Sequence, residues 1–436
     1  EMCIRDRAKD ISGWSEDLFG ELNAEPTEFD GYDVLKETAK VLALSDGEEL
    51  NDAVSTDYEE RENVLVVLDR TPFYAEMGGQ VADHGYLTSG TANLKVNQVK
   101  KTPKGFYVHT CTLLDGTIRV GDTVTAAVDE QRRASICRNH TATHLMQKAL
   151  REVLGEHVHQ AGSYQDDKIT RFDFTHFNAV TPEELVEVEK RVNEKIFAAL
   201  PVTIQNLPIE EAKKMGAMAL FGEKYGKVVR VVDAGGWSVE FCGGTHVKNT
   251  AQIGCFKILS EASVAAGIRR IEATTGKVSL EETRHGRTTL LKAAQFFKTA
   301  PGSILERMEQ QANEMKELRQ AVEKFKAEAS LGEAKQVMAS AKAVGGLHII
   351  TGTRQGLDAN ALRTMGDFLR DKDPKAVAVI ASINGEKITF LAVCGKAAVK
   401  AGIKAGEIIK KLMLLGIMAT INQELDFDTA VSYTHL

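Results

Sequence analysis

The stretch 129–155 constrains this chain most, because both of its ends are marked and its interior keeps one period. Asp129 is of the type that caps a helix start, and Gly155 of the type that closes a helix end. Between them Ala142, Leu145, Met146, Ala149 and Val153 recur at helical spacing, which predicts a single amphipathic helix. His140 and His144 stand four residues apart within it, side by side and off the apolar stripe. Two imidazoles one turn apart match what a zinc-type ion demands, although the pair alone also reads as two surface residues.

A second segment decides between these readings. Residues 228–232 and 237–241 read as strands, and the second delivers Cys242-Gly243-Gly244-Thr245-His246. Two glycines let the backbone turn sharply, so Cys242 and His246 form a second clamp. One thiolate and three imidazoles suit zinc better than magnesium or calcium, which prefer oxygen ligands. The stretch His140-Thr141-Ala142-Thr143-His144 lacks the glutamate of the HExxH pattern, so a metalloprotease reading has no general base.

Composition sets the frame around these segments. A chain of 436 residues is too long for one core and predicts two to four domains. No apolar run is long enough to span a bilayer and no leader pattern opens the chain, so no membrane role and a cytoplasmic location are expected. The six cysteines keep no framework spacing, which argues for reduced thiols. A net charge of −7 argues against a general nucleic-acid coat protein but leaves room for a local basic patch. The first residue is Glu1, and a piece of something larger is expected.

Along the chain, residues 1–28 read as the end of a preceding helical element, and 33–44 as a short helix. From Asn63 to Val128, short apolar runs alternate with turn formers such as Gly78-Gly79 and Asp115-Gly116, which predicts a small barrel or sandwich. Its loop Thr71-Pro72-Phe73-Tyr74-Ala75-Glu76-Met77-Gly78-Gly79-Gln80 reads as backbone held close to a ligand or the next domain, or as a tight structural turn. Residues 171–174 alternate as a strand. Thr181-Pro182-Glu183-Glu184 opens an amphipathic helix through Leu185, Val188, Val192 and Ile196, and 208–218 reads as a shorter one. Between 304 and 329 a heptad joins Met308, Met315, Val322 and Ala329, with Ile304, Leu318 and Phe325 in the companion seam and Gln311 interrupting it. It reads as a spacer or a hairpin packed within the chain, with a homo-oligomer contact as the alternative. Beyond Gly345-Gly346 strands and one helix alternate in a compact α/β unit. A basic helix follows, on which Lys396, Lys400 and Lys404 share a face suited to a phosphate backbone.

These motifs, in this order, carry a resemblance. HTATH, CGGTH, TPFYAEMGGQ, RFDF and Ala266-Gly267-Ile268-Arg269-Arg270-Ile271-Glu272-Ala273 resemble the editing half of a bacterial alanyl-tRNA synthetase, over roughly 28–410. The paired HxxxH and CxxxH signature is shared with threonyl-tRNA synthetase editing domains and free-standing editing proteins; the TPFYAE loop and the C-terminal third narrow the choice. The resemblance implies an α+β, multidomain chain: a helical remnant (1–28), a β-barrel (29–131), a zinc-binding editing domain (132–280), a helical or coiled-coil spacer (281–342) and a small α/β tRNA-binding domain (343–436). It implies His140, His144, Cys242 and His246 as ligands of one zinc ion, and Thr143 and Gln160 near the substrate pocket. Arg269 and Arg270 are candidates for the terminal phosphates of tRNA(Ala), or else solvated strand residues paired with Glu272.

The task implied is hydrolysis of Ser-tRNA(Ala) and Gly-tRNA(Ala), since an alanine pocket cannot strongly exclude a smaller side chain or one bearing a hydroxyl. Four protein ligands leave two routes: one ligand yields, or zinc only positions the aminoacyl group while a water attacks. The amino-acid-activating part is not expected here, nor ATP-dependent charging. A free-standing editing hydrolase and a non-catalytic, zinc-stabilised tRNA-binding appendage are the alternatives. Two departures stand out: Met77 replaces a residue that is commonly small and polar, and beyond Leu412 the glycine-rich continuation is missing.

Overall fold

The computed structural model describes residues 16–20, 22–56, 59–218, 226–385, 387–414 and 425–426. The terminal segments 1–7 and 431–436 lie outside these, as does most of the expected helical remnant apart from one turn at Glu16–Phe19. The chain divides into two compact units, residues 1–289 and 290–436.

The first unit begins with a closed antiparallel barrel. Its strands are β1 (Lys36–Ser45), β2 (Arg61–Leu68), β3 (Gly85–Thr88), β4 (Ala92–Lys101), β5 (Tyr107–Arg119) and β6 (Thr123–Val128). They pair in the order β6-β3-β4-β5-β2-β1, and β1 returns to β6. Inward side chains such as Val41, Val66, Leu87, Leu94, Val96 and Leu113 fill one core. The helix expected over 33–44 is therefore corrected to strand β1. Its Lys, Glu, Ala and Leu favour helix locally, but β1 covers the edges of β2 and β6, which would otherwise stand unpaired.

Helix α1 (Glu130–Leu154) follows with both expected caps: the Asp129 side chain accepts from the Arg132 N–H, and Gly155 takes a φ of 118°. Ala142, Leu145, Met146 and Ala149 pack with Phe172, Val188, Val192 and Ile271 in one core. Helices α1 and α2 (Pro182–Phe197) lie on a sheet of β7 (Gln160–Gln165), β8 (Thr170–Thr175), β12 (Phe256–Ala265) and β13 (Ile268–Thr275), in the order β7-β8-β13-β12. Thr181 and Glu184 close the expected capping box on α2. A second sheet joins β9 (Val202–Pro208), β10 (Val228–Ala234) and β11 (Ser238–Phe241), with α3 (Ile209–Lys214) between the first two. Helix α4 (Gly276–Phe296) follows β13.

In the second unit α5 (Ile304–Ala339) is one continuous helix, so the hairpin reading is corrected. Met308, Met315, Leu318, Val322 and Phe325 are 47 to 70% exposed, so among the described residues the heptad seam is not packed as expected; in α5 Ile304 and the later Ser330, Ala334 and Val337 are buried. Beyond it β14 (Lys342–Val344), β15 (Leu347–Gln355), β16 (Ala376–Asn384) and β17 (Lys387–Cys394) form a mixed sheet covered by α6 (Ala359–Lys372). The expected basic helix breaks at Gly402, whose φ is 92°, into α7 (Lys396–Lys400) and α8 (Ala405–Leu414). Lys404 precedes α8, so the three lysines do not share one helix face; all three are exposed.

Two buried polar groups tie this architecture together. Arg133 on α1 donates through Nε to both carboxylate oxygens of Asp83, at 2.8 and 3.0 Å, and through its other nitrogens to the carbonyls of Gly31 and Pro72. Asp83 also accepts from the Tyr74 N–H at 2.6 Å, so one ion pair fixes the barrel loop to the first turns of α1. We expect Asp83→Ala to leave the guanidinium buried without its partner and to cost about 3 to 5 kcal/mol of stability, read as a lower urea midpoint. Inside the barrel, His109 donates from Nδ1 to the Val66 carbonyl and its Nε2 accepts from the Thr71 hydroxyl. Burial lowers its pKa from 6.5 to about 4. The unfolded chain thus binds a proton that the folded one refuses, so this stabilisation is full above pH 6.5 and is lost as the pH falls towards 4. It amounts to about 3 kcal/mol at most. His109→Gln is expected to flatten the fall in the urea midpoint between pH 7 and 5; an unchanged slope would contradict the assignment.

Candidate metal centre

Helix α1 supplies His140 and His144 one turn apart, and the turn after β11 supplies Cys242 and His246. One ligand atom from each of the four lies within 4.8 Å of all the others. His140 and His144 are only 5 and 6% exposed, which removes the surface-pair reading. The pair does leave the apolar stripe, as expected, but its face is covered by the Cys242–His246 turn and a barrel loop. Burial pushes the His144 pKa down to about 3 and those of His140 and His246 well below 6.5. All three rings are neutral at pH 7, the form in which imidazole binds a metal.

Of the two glycines of the turn, only Gly244 is required by packing; a Cβ at Gly243 would make an ordinary contact with Met77 at 3.6 Å. A Cβ at Gly244 would meet the His140 ring at 2.1 Å, so only glycine admits the ring there. Gly243 instead offers its carbonyl to the Tyr32 hydroxyl at 2.6 Å. Arg230 donates to the carbonyls of Cys242 and Gly244 at 2.7 and 2.8 Å, with its guanidinium 4.1 Å over the Tyr32 ring. The turn is clamped from two sides.

Behind the donors stand residues that sequence reasoning did not single out individually. Gln80, fully buried at the end of the TPFYAEMGGQ loop, lies 2.8 Å from His140 Nδ1 and bonds both the backbone and the hydroxyl of Thr245. The loop does hold backbone close to the neighbouring elements: a Cβ on Gly79 would meet the Ser163 carbonyl at 2.6 Å. Its glycines were the signal, although they did not point to Gln80. Thr141 lies 3.1 Å from His246 Nδ1. Glu240 Oε2 is 3.7 Å from His144 Nε2, and burial raises its carboxyl to about 8. At neutral pH an acid mostly protonated faces a neutral ring, so this contact is not an ion pair.

The Thr143 hydroxyl donates to the Asn139 carbonyl at 2.8 Å and accepts from the Thr170 hydroxyl at 2.5 Å, facing β8. Gln160 opens β7 in register with Phe174 and is half-buried. Arg269 makes a two-pronged pair with Glu261 and Arg270 one with Asp173, rather than with Glu272. None of the five described cysteines is joined in a disulfide. The four converged donors could hold a metal ion, and one sulfur with three nitrogens is a donor set that fits zinc.

A family model described as the threonyl and alanyl tRNA synthetase second additional domain matches residues 229–272, which include the Cys242–His246 turn. One described as tRNA synthetases class II (A) matches residues 6–132, and one described as the translation initiation factor IF-2 N-terminal region matches 398–430. The alanine–tRNA ligase of Acetivibrio thermocellus is 44% identical over 406 residues, 93% of this chain and 46% of that protein. Those of Alkaliphilus oremlandii and Bacillus subtilis are 42 and 43% identical over 92 and 88% of the chain, covering 45 and 43% of the relatives. The chain therefore spans about half the length of the curated relatives it matches. No helix among the described residues is long and apolar enough to cross a membrane. Alike at this level over nine-tenths of its length, the chain belongs to the alanine–tRNA ligase family and matches the C-terminal portion of its members.

Proposed function

We propose that this chain hydrolyses mischarged Ser-tRNA(Ala) and Gly-tRNA(Ala), at a zinc centre held by His140, His144, Cys242 and His246. The observation that carries the reading is the convergence of these four donors within 4.8 Å, in a chain related to alanine–tRNA ligases. Water adds to the ester carbonyl carbon, the bond to the ribose oxygen breaks, and free amino acid and uncharged tRNA leave. Zinc, when bound, would supply a fixed positive charge against which the aminoacyl group is oriented. The chain's own part is to keep the site's shape: Arg230 and Tyr32 hold the carbonyls of the turn beside Cys242. Thr143 and Gln160 belong to the proposal as pocket residues.

For the rest of tRNA(Ala) we propose the exposed Lys396, Lys400 and Lys404 as phosphate contacts. Arg269 and Arg270 would reach phosphate only by exchanging the carboxylates that now hold them. The domain division at 131/132, 280/281 and 342/343, a cytoplasmic location, and a second copy packing on the exposed seam of α5 complete the reading. Whether the natural protein is a whole synthetase or a free-standing editing hydrolase does not alter the site.

One feature favours a second reading. Four protein donors fill a tetrahedral site, as structural zinc sites do, which suits a non-catalytic tRNA-binding appendage. Cys242→Ala separates the two. Under the hydrolase reading it slows Ser-tRNA(Ala) deacylation by about 100-fold or more, more than removal of a residue behind a ligand costs, while circular dichroism and tRNA binding persist. Unfolding of the variant, or a wild-type chain that deacylates Ser-tRNA(Ala) no faster than Ala-tRNA(Ala), would favour the appendage.

A further inference from the structure

We infer that Gln80 and Thr141 each lock one imidazole of the metal centre in a single tautomer, so that Nε2 of both rings stays unprotonated and faces Cys242 before any ion arrives. The inference deepens the zinc reading above and rests on it for the identity of the ion. The backbone N–H of Thr245 can only donate, and it lies 2.8 Å from Gln80 Oε1. Oε1 is therefore the acceptor end of the amide, and Nε2 donates to the Thr245 hydroxyl oxygen at 2.9 Å. His140 Nδ1 is 2.8 Å from the same Oε1 and must carry the ring proton. His140 Nε2 then keeps its lone pair, facing Cys242 Sγ at 3.3 Å.

The second ring follows the same logic from the other side. Thr141 has one hydroxyl proton, which it donates to the Cys137 carbonyl at 2.8 Å. Towards His246 Nδ1, 3.1 Å away, its oxygen can only accept, so Nδ1 carries the proton there too. His246 Nε2 keeps its lone pair and also lies 3.3 Å from Cys242 Sγ. Gln80 and Thr141 are 0 and 1% exposed, so water does not offer the rings an alternative partner. Gln80 comes from the loop after β2, and the barrel thereby becomes part of the metal centre, acting as a positioning element through His140.

The test uses the full chain labelled with nitrogen-15 in its histidines. In the metal-free protein, ring-nitrogen NMR should find His140 and His246 protonated at Nδ1. Gln80→Leu should release His140 into a tautomer mixture and leave His246 unchanged, and Thr141→Val should do the reverse. Zinc competition against a chelator should show about 10- to 100-fold weaker binding for either variant. Gln80→Glu, whose carboxylate still accepts from His140 Nδ1, should bind near wild-type strength, which a loss of packing alone would not rescue. Should Gln80→Leu fail to fold, Thr141→Val carries the same test on the other ring. Protonation of His140 at Nε2 in the wild type, unchanged zinc binding in the folded variants, or equal weakening by Glu and Leu would each overturn the inference. A wild-type chain that binds no zinc yet holds both rings protonated at Nδ1 would remove the zinc reading and leave the lock standing.

Discussion

Three imidazoles and a thiol packed within 4.8 Å of one another are an arrangement that a protein interior resists. Each buried ring must stay neutral, and each ring nitrogen not aimed at the centre needs a partner, since an orphaned polar atom there costs about 1 to 3 kcal/mol. Most of the surrounding structure answers that demand. Gln80 satisfies His140, Thr141 satisfies His246, and Glu240 with Ser238 stands beside His144. The clustered rings are neutral because burial and the Arg230 charge depress their pKa values.

This explains why a barrel and a helix that look separate in sequence fold as one unit. The Arg133–Asp83 pair sets the loop after β2 against α1, and Gln80 then reaches both the HTATH helix and the CGGTH turn. Close approaches at Gly79 and Gly244 leave no room for a side chain on either contact. A donor set on one helix and one turn thus depends on a residue sixty positions before its first histidine.

Much of this was legible from residue order. The helix over 129–155 needed only its caps and one apolar period, and all four donors sat in two short motifs whose chemistry is specific. Strand β1 has a composition that favours helix, and only its pairing with β2 and β6 overrides it. The heptad spacing in α5 reports a face and not what covers it, and that face is exposed. The break at Gly402 hid inside a regular lysine spacing. Gln80 and Thr141 lie inside the TPFYAEMGGQ and HTATH motifs and Arg230 and Glu240 in strands, but their partners lie far away in sequence or across the turn, and only the folded chain assigns their roles.

The central claim is that these donors form a metal centre ready-made in the folded chain. Elemental analysis of the purified, exhaustively dialysed chain tests it most directly, with cobalt exchanged for zinc in a parallel sample. The account predicts about one zinc per chain and, for cobalt, the absorption of a tetrahedral site with a sulfur ligand. A folded chain that retains no stoichiometric metal, or cobalt spectra of an octahedral ion without a thiolate band, would contradict it.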